Sequence, residues 1–377
     1  MISHLWPRCL KIKLKVLKII VLGTRGIPDI LGGVETHCQE LFPRIELLGH
    51  HDITVITRSP YVVDKTQTHF QNIKLKHLFA PKTKSFEAIV HTFLGVLYAG
   101  IKRPDVLHIH AIGPMIMTPL ARLLGLKVVV THHGPDYDRQ KWGKMAKTIL
   151  KLGECMGVKF ANEVIVISEV IQRSLATKYN RTDTHLIYNG VNLPQTTIQT
   201  DYIESLGLQP QKYIIAVGRF VEEKGMHDLI EAFKGLKTDI KLVLVGDADH
   251  ETTYSKNLKT KAKENHVVLT GFIKGEKLNQ IFSHTLLFVM PSYHEGLPIA
   301  LLEAMSYNLN VLVSDIPANL EVQLEEECYF KTGDIEGLKN KLNQKLKSDL
   351  TYDFQKVILE KYNWDVIAEK TLGVYKL

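Results

Sequence analysis

Two stretches of the chain open alike. KVLKIIVLG (Lys15–Gly23) and KYIIAVGRF (Lys212–Phe220) are continuous apolar runs that close on a glycine or a glycine–arginine pair. Such runs read as strands buried on both faces. Each is followed by a glycine-containing loop and then a helical period. Further runs of this kind are DITVITR, DVLHIHA, KVVVTHH and EVIVIS in the first half, and KLVLVGD, VVLTGF, LLFVMPS and NVLVSD in the second. Helical stretches alternate with them, which predicts an α/β chain of two doubly wound, Rossmann-like domains. Their strand carboxyl ends should face each other across a cleft. The boundary is expected after IYNGVN (Ile187–Asn192), where LPQTTIQTD is polar and aperiodic. This divides the chain into residues 1–192, with 1–14 as an extension before the first strand, and residues 193–360. A terminal helical segment, 361–377, is expected to pack back on the first domain.

Composition adds a division of charge. Residues 1–192 carry 26 Lys+Arg against 14 Asp+Glu, a balance of +12, whereas residues 193–377 carry 21 against 26, a balance of −5. Only the first half should therefore meet an anionic partner. Nucleic acid is one candidate and an anionic membrane leaflet another; a solvated surface with no partner is the third reading. No nucleic-acid motif accompanies the charge, so nucleic acid is set aside. The four cysteines show no paired spacing, which indicates neither a zinc site nor a disulfide framework and favours a cytoplasmic setting. The best spanning candidate, Phe86 to Ile101, falls short of the ~20 apolar residues a bilayer needs and contains Glu87 and His91. The opening MISHLWPRCLKIKLK is a poor secretory signal. Arg139–Phe160 reads as a basic amphipathic helix, with Trp142, Met145, Ile149, Leu152 and Met156 beside Lys141, Lys144, Lys147 and Lys151. That pattern suits the inner face of a membrane, or else the stripe faces the domain core.

The most informative segment is PSYHEGLPIALLEAMSYN. LLFVMPS should be a strand, Tyr293–Gly296 its exit loop and Leu297–Ser306 a helix with Pro298 in its first turn. A helix start at a strand end offers backbone N–H groups to an anion. Glu295 and Glu303 lie eight residues apart, about two helical turns. That spacing fits opposite ends of an elongated ligand better than one reacting bond, although glutamates facing solvent would look the same. GRFVEEKG (Gly218–Gly225) adds Arg219 and Lys224 at another strand end. Two cations there can neutralise a diphosphate leaving group in place of a metal, or simply pair with Glu222 and Glu223.

Together these motifs resemble the retaining glycosyltransferases of family 4, which have the GT-B fold. EGLPIALLEAM matches that family's paired-glutamate motif and VGRFVEEKG its diphosphate-binding loop; VIVISE and IYNGVN also match in order. The resemblance implies that Arg219 and Lys224 grip the diphosphate, that Glu303 holds the ribose, and that Glu295 meets the donor sugar near the reacting carbon. Gly218, Gly296 and Leu297 would line the same donor site. It also implies a nucleotide-sugar donor, a glycan or lipid-linked glycan acceptor, no metal and no cofactor.

In the first half, LGTRGIPDILGGVETH follows the first strand, and Gly32 and Gly33 let backbone approach a ligand. The segment is not the dinucleotide fingerprint, which disfavours redox chemistry. By the resemblance the paired glycines lie near the donor phosphates, and the segment looks similar to a bacterial branch associated with rhamnosyl transfer in surface polysaccharides. In VVVTHHGPDYD, His132 and His133 should point to opposite faces. By the resemblance His133 is the active-site histidine, while Asp136 and Asp138 are acceptor-side groups or loop caps. Three features are set aside: Asp247–Asp249 as a metal motif, His108 and His110 as a metal pair lacking a third ligand, and His50–His51 as an exposed pair.

The chemistry implied is front-face displacement, carried by positioning and leaving-group stabilisation, with domain closure assembling the site. A nucleotide-sugar epimerase of the same fold and a binding module without turnover are the rival readings.

Overall fold

The computed structural model describes residues 15–30, 32–81, 87–138, 143–248, 250–348 and 352–377. The 1–14 extension, Lys141, Trp142 and Asp249 lie outside them.

The apolar runs form two sheets. The first holds β1 (Lys18–Leu22), β2 (Asp52–Arg58), β3 (His69–Phe70), β4 (Ile73–Leu78), β5 (Val106–His110), β6 (Val128–His132), β7 (Glu163–Val166) and β8 (Thr184–Leu186), in the order β3-β4-β2-β1-β5-β6-β7-β8. The second holds β9 (Tyr213–Val217), β10 (Lys241–Val245), β11 (Val268–Gly271), β12 (Leu287–Met290), β13 (Val311–Ser314) and β14 (Tyr329–Phe330), in the order β11-β10-β9-β12-β13-β14. Every pairing is parallel except β3 with β4. β5, β6, β12 and β13 are buried along their whole length, as strands covered by helices on both faces must be.

Strand order reverses beside β1 in the first sheet and beside β9 in the second. In doubly wound sheets the crevice at this switch point is where ligands bind. Here the loops leaving β1, β6, β9 and β12 all reach the space between the sheets. The segment between β8 and the helix Asp201–Ser205 has no regular structure beyond a bridge from Val191 to Asn363. The terminal helix Trp364–Tyr375 packs on the helix Gly33–Leu47, burying Trp364, Ile367, Leu372 and Tyr375 with Leu41, Phe42 and Ile45.

Candidate functional site

The carboxy-terminal wall of the cleft is built by the loops after β9 and β12. Gly218 and the part-buried Arg219 follow β9, and the chain then turns through Glu222–Lys224. The Lys224 Nζ donates to Glu295 Oε1 at 2.5 Å, with side chains only 18% and 10% exposed. Ser292 Oγ donates to the same oxygen at 2.7 Å. The two loops are tied together: Tyr293 N donates to Glu223 O at 2.8 Å, and Tyr293 Oη to Asp228 Oδ2 at 2.5 Å. Glu295 is thus held in place before any ligand arrives. The structure brings Lys224 and Glu295 into contact, and it sets Arg219 in the same loop as Lys224.

The helix here begins at Ile299 rather than Leu297, because Pro298 takes the N-cap position with a non-helical ψ of 77°. Glu303, on that helix, is part-buried, and burial pushes its carboxyl up to about 7. Where it sits, the charged form is costly unless a partner takes its oxygens.

The amino-terminal wall meets this one at backbone distance. A Cβ at Gly296 would lie 2.6 Å from the carbonyl oxygen of His133, and Gly134 stands directly opposite. Only glycine allows that approach. Gly33 opens its helix against the start of Ile299–Ser306, since a Cβ there would lie 3.7 Å from Ile299 Cδ1. Gly32 has φ +148°, and a Cβ would fall on Glu35 Oε2; the buried Glu35 in turn accepts from Arg25 N at 2.9 Å. Leu297 is buried beside this junction.

His132 and His133 do diverge. His132 Nε2 pairs with the buried Glu154 at 2.8 Å, which also accepts from the hydroxyls of Tyr137 and Tyr179. His133 points to the other face, where its Nε2 bonds His110 Nδ1 at 3.0 Å, while His132 and Glu154 line the cavity that Glu295 also lines. His37, from the helix Gly33–Leu47, meets the His133 ring edge-on at 4.9 Å between centroids, and its Nδ1 bonds Asn189 Oδ1 at 2.7 Å. Burial, then the neighbouring imidazoles, hold His133 and His110 well below the ordinary histidine range; burial, partly offset by the Asn189 hydrogen bond, brings His37 to about 4. All three rings are neutral at pH 7. Their nitrogens lie within 4.8 Å of one another, which makes this the cluster among the described residues with the geometry to hold a borderline transition-metal ion.

Asp136 and Asp138 lie on the turn that follows Gly134 and Pro135. Asp138 joins Lys178, His294 and Glu295 around a cavity of about 250 Å³ between the walls.

Sequence reasoning set His110 aside for want of a third metal ligand, and the structure makes it the partner of His133. His37 carried no signal, and Asn189, although it lies in the matching IYNGVN segment, was given no role; only the fold brings them to β5 and β6. His51, expected to be exposed, is buried: its Nδ1 accepts from Leu17 N at 3.1 Å. His50 alone faces water. Asp247 pairs with Lys259 at 2.6 Å rather than standing open.

Residues 31–195 match the family model Glycosyltransferase Family 4, and residues 199–367 the model Glycosyl transferases group 1. An uncharacterised glycosyltransferase of Methanocaldococcus jannaschii is 26% identical, covering 96% of this chain and 98% of its own. A putative teichuronic acid biosynthesis glycosyltransferase of Bacillus subtilis is 28% identical over 56% of this chain and 54% of its own. Among solved structures, an Anabaena protein in complex with UDP and glucose superposes with a TM-score of 0.77 at 19% identity, covering 96% of this chain and 99% of that one. The architecture is GT-B.

Proposed function

We propose that this chain, a glycosyltransferase of two domains of the family 4 and group 1 types, moves a sugar from a nucleoside diphosphate donor onto a glycan acceptor with retention of configuration and without a divalent metal. The observation that carries the reading is the Lys224–Glu295 contact at the switch point of the second sheet, one residue before Gly296, where the His133 backbone meets the loop. An ammonium group has three donors. Lys224 can therefore keep Glu295 in place while donating to a phosphate oxygen, with Arg219 supplying the second cation.

In the step proposed, the bond from the sugar's anomeric carbon to the diphosphate oxygen breaks. The acceptor hydroxyl bonds the same carbon on the same face, and its proton passes to a phosphate oxygen of the leaving group. Arg219, Lys224 and the start of the helix Ile299–Ser306 stabilise the charge that develops there. Glu303 takes the ribose hydroxyls, which would give its carboxylate hydrogen-bond partners. Glu295 orients the sugar, and His133, steadied by His110, meets the same ring from the other wall. Asp136 and Asp138 meet the acceptor. The kinship of the Bacillus relative and the GTRGIPDILGGVET segment support a surface polysaccharide, with a lipid-linked glycan as acceptor and rhamnose as the first donor to try.

The test is a panel of UDP-, GDP- and dTDP-sugars screened for thermal stabilisation, followed by turnover of the stabilising donor. Nucleoside diphosphate released only when acceptor is present supports the transferase, and NMR of the product reads the anomeric configuration. A donor altered without acceptor would show an epimerase instead; a donor bound but never changed would show a binding module.

A further inference from the structure

The first domain carries a surface that the transfer reaction does not use. The helices Glu87–Lys102, Thr118–Leu123 and Lys144–Phe160 form one layer on its sheet, joined by the turn Pro114–Met117 that touches the first and third. Each buries its sheet-facing side, as with Thr92, Gly95, Val96 and Ala99 of the first helix and Gly153, Glu154 and Gly157 of the third.

The opposite side is apolar where water should favour polar groups. Phe93, Leu97 and Ile101 recur at four-residue steps, and all three are exposed, Ile101 to 80%. That spacing makes a continuous ridge along one helix face. Leu123, on the neighbouring helix, is 85% exposed. On the third helix Met145 is 75% exposed and Leu152 45%, while Ile149 and Met156 are part-buried. The stripe read from the sequence therefore does not face the core.

Charge on this layer has one sign. The three helices carry six cations, Lys102, Arg122, Lys144, Lys147, Lys151 and Lys159, and two carboxylates. Neither carboxylate is presented to solvent. Glu87 is paired with Arg58 at 2.7 Å with its side chain 14% exposed, and Glu154 is buried beneath His132 and the tyrosines.

We infer that this three-helix layer seats the protein on an anionic lipid leaflet, with the Phe93–Leu97–Ile101 ridge entering the boundary between headgroups and acyl chains and the lysines meeting the headgroups. Apolar residues exposed beside unopposed cations match that boundary. A nucleic acid would match the charge but would give the aliphatic ridge nothing to do. The third helix starts six residues after Asp138, at the cleft, so docking on this layer brings the acceptor side towards the leaflet.

The test is flotation with phosphatidylcholine vesicles made with and without phosphatidylglycerol, at low and high salt. It uses the wild-type chain, Leu97→Ser/Ile101→Ser, and Lys144→Gln/Lys147→Gln/Lys151→Gln/Lys159→Gln. Leu97, Ile101, Lys144, Lys151 and Lys159 are exposed and Lys147 is part-buried, and melting curves confirm that each variant folds. Wild type should float with the anionic vesicles only, less at high salt, and each variant should lose about tenfold or more in partitioning. No flotation of wild type with anionic vesicles at low salt would overturn the inference. So would unchanged flotation of both variants, or loss in the lysine variant alone combined with tight binding of duplex DNA by wild type. The assay contains no sugar, so its outcome is independent of the proposed transfer reaction.

Discussion

The two walls of the cleft are built on opposite electrostatic plans. The carboxy-terminal wall is ionic: Lys224 and Glu295 hold one another at 2.5 Å, Arg219 shares their loop, and Glu303 waits on the adjoining helix. The histidine cluster of the amino-terminal wall is neutral, because burial strips the charge from His37, His110 and His133. The contrast follows from what each wall would hold. A diphosphate arrives with charge and is matched by ions, whereas a sugar ring is uncharged and is matched by neutral hydrogen-bonding groups. A neutral imidazole also avoids placing a cation beside an anomeric carbon that becomes positive in the transition state.

The sharpest way to break this division is to remove a cation. Arg219→Ala and Lys224→Ala should each cost roughly 2–4 kcal/mol of transition-state stabilisation, about 30- to 900-fold in turnover. The wild-type rate should persist in EDTA. A strict metal requirement in the chemical step would move the diphosphate's neutralisation elsewhere, with the His37–His110–His133 cluster the first place to look.

Next is the seam between the walls. Gly296→Ala would drive a methyl group against the His133 carbonyl and hold the walls apart. Turnover should fall about 10²-fold, as expected for misplacement of about 1 Å, with the melting temperature nearly unchanged. Full activity would mean that the contact is not needed in the reacting state.

Glu303 offers a smaller effect of opposite sign on binding and stability. Its carboxyl titrates near 7 in the fold against an ordinary value of 4.5. A raised value favours the fold fully below the unfolded pKa, and that benefit disappears as pH rises through about 7. Glu303→Gln should therefore stabilise the ligand-free protein by about 2–3 kcal/mol at pH 8 and hardly at pH 4. The same change should weaken donor binding, and wild-type donor affinity should fall as pH drops below about 7. Denaturant melts at the two pH values check the first part; equal stabilisation at both would refute it.

The smallest expected effect is at His110. As a positioning residue for His133, His110→Gln should lower kcat about tenfold and leave donor KM within about twofold, because a donor-independent orientation is lost. A rise in KM with kcat intact would place His110 in donor binding instead.

The ionic wall was legible in the sequence, whereas of the histidine cluster only His133 was, for a physical reason. Lys224, Glu295 and Glu303 sit on loops and a helix whose start follows from a strand, glycine and proline in succession. His37, His110 and Asn189 come from three separate elements, and only strand order brings them to His133. The strands divide similarly. Fully buried strands such as β5 and β12 stand out as apolar runs, whereas β4, IKLKHL, alternates buried and exposed residues and carries charge. It escaped a search for continuous apolarity, as did the short edge strands β3, β8 and β14. The outward ridge of Glu87–Lys102 was hidden because exposure depends on what the sheet already covers.

The division between the walls is tested most directly by titration calorimetry of the nucleoside diphosphate of the stabilising donor, in EDTA, against wild type, Lys224→Ala and His133→Ala. The account expects Lys224→Ala to weaken binding about 30-fold or more, the scale of a lost charge-assisted contact, and His133→Ala to leave it within about twofold. Equal weakening by both substitutions, or none by Lys224→Ala, would contradict it.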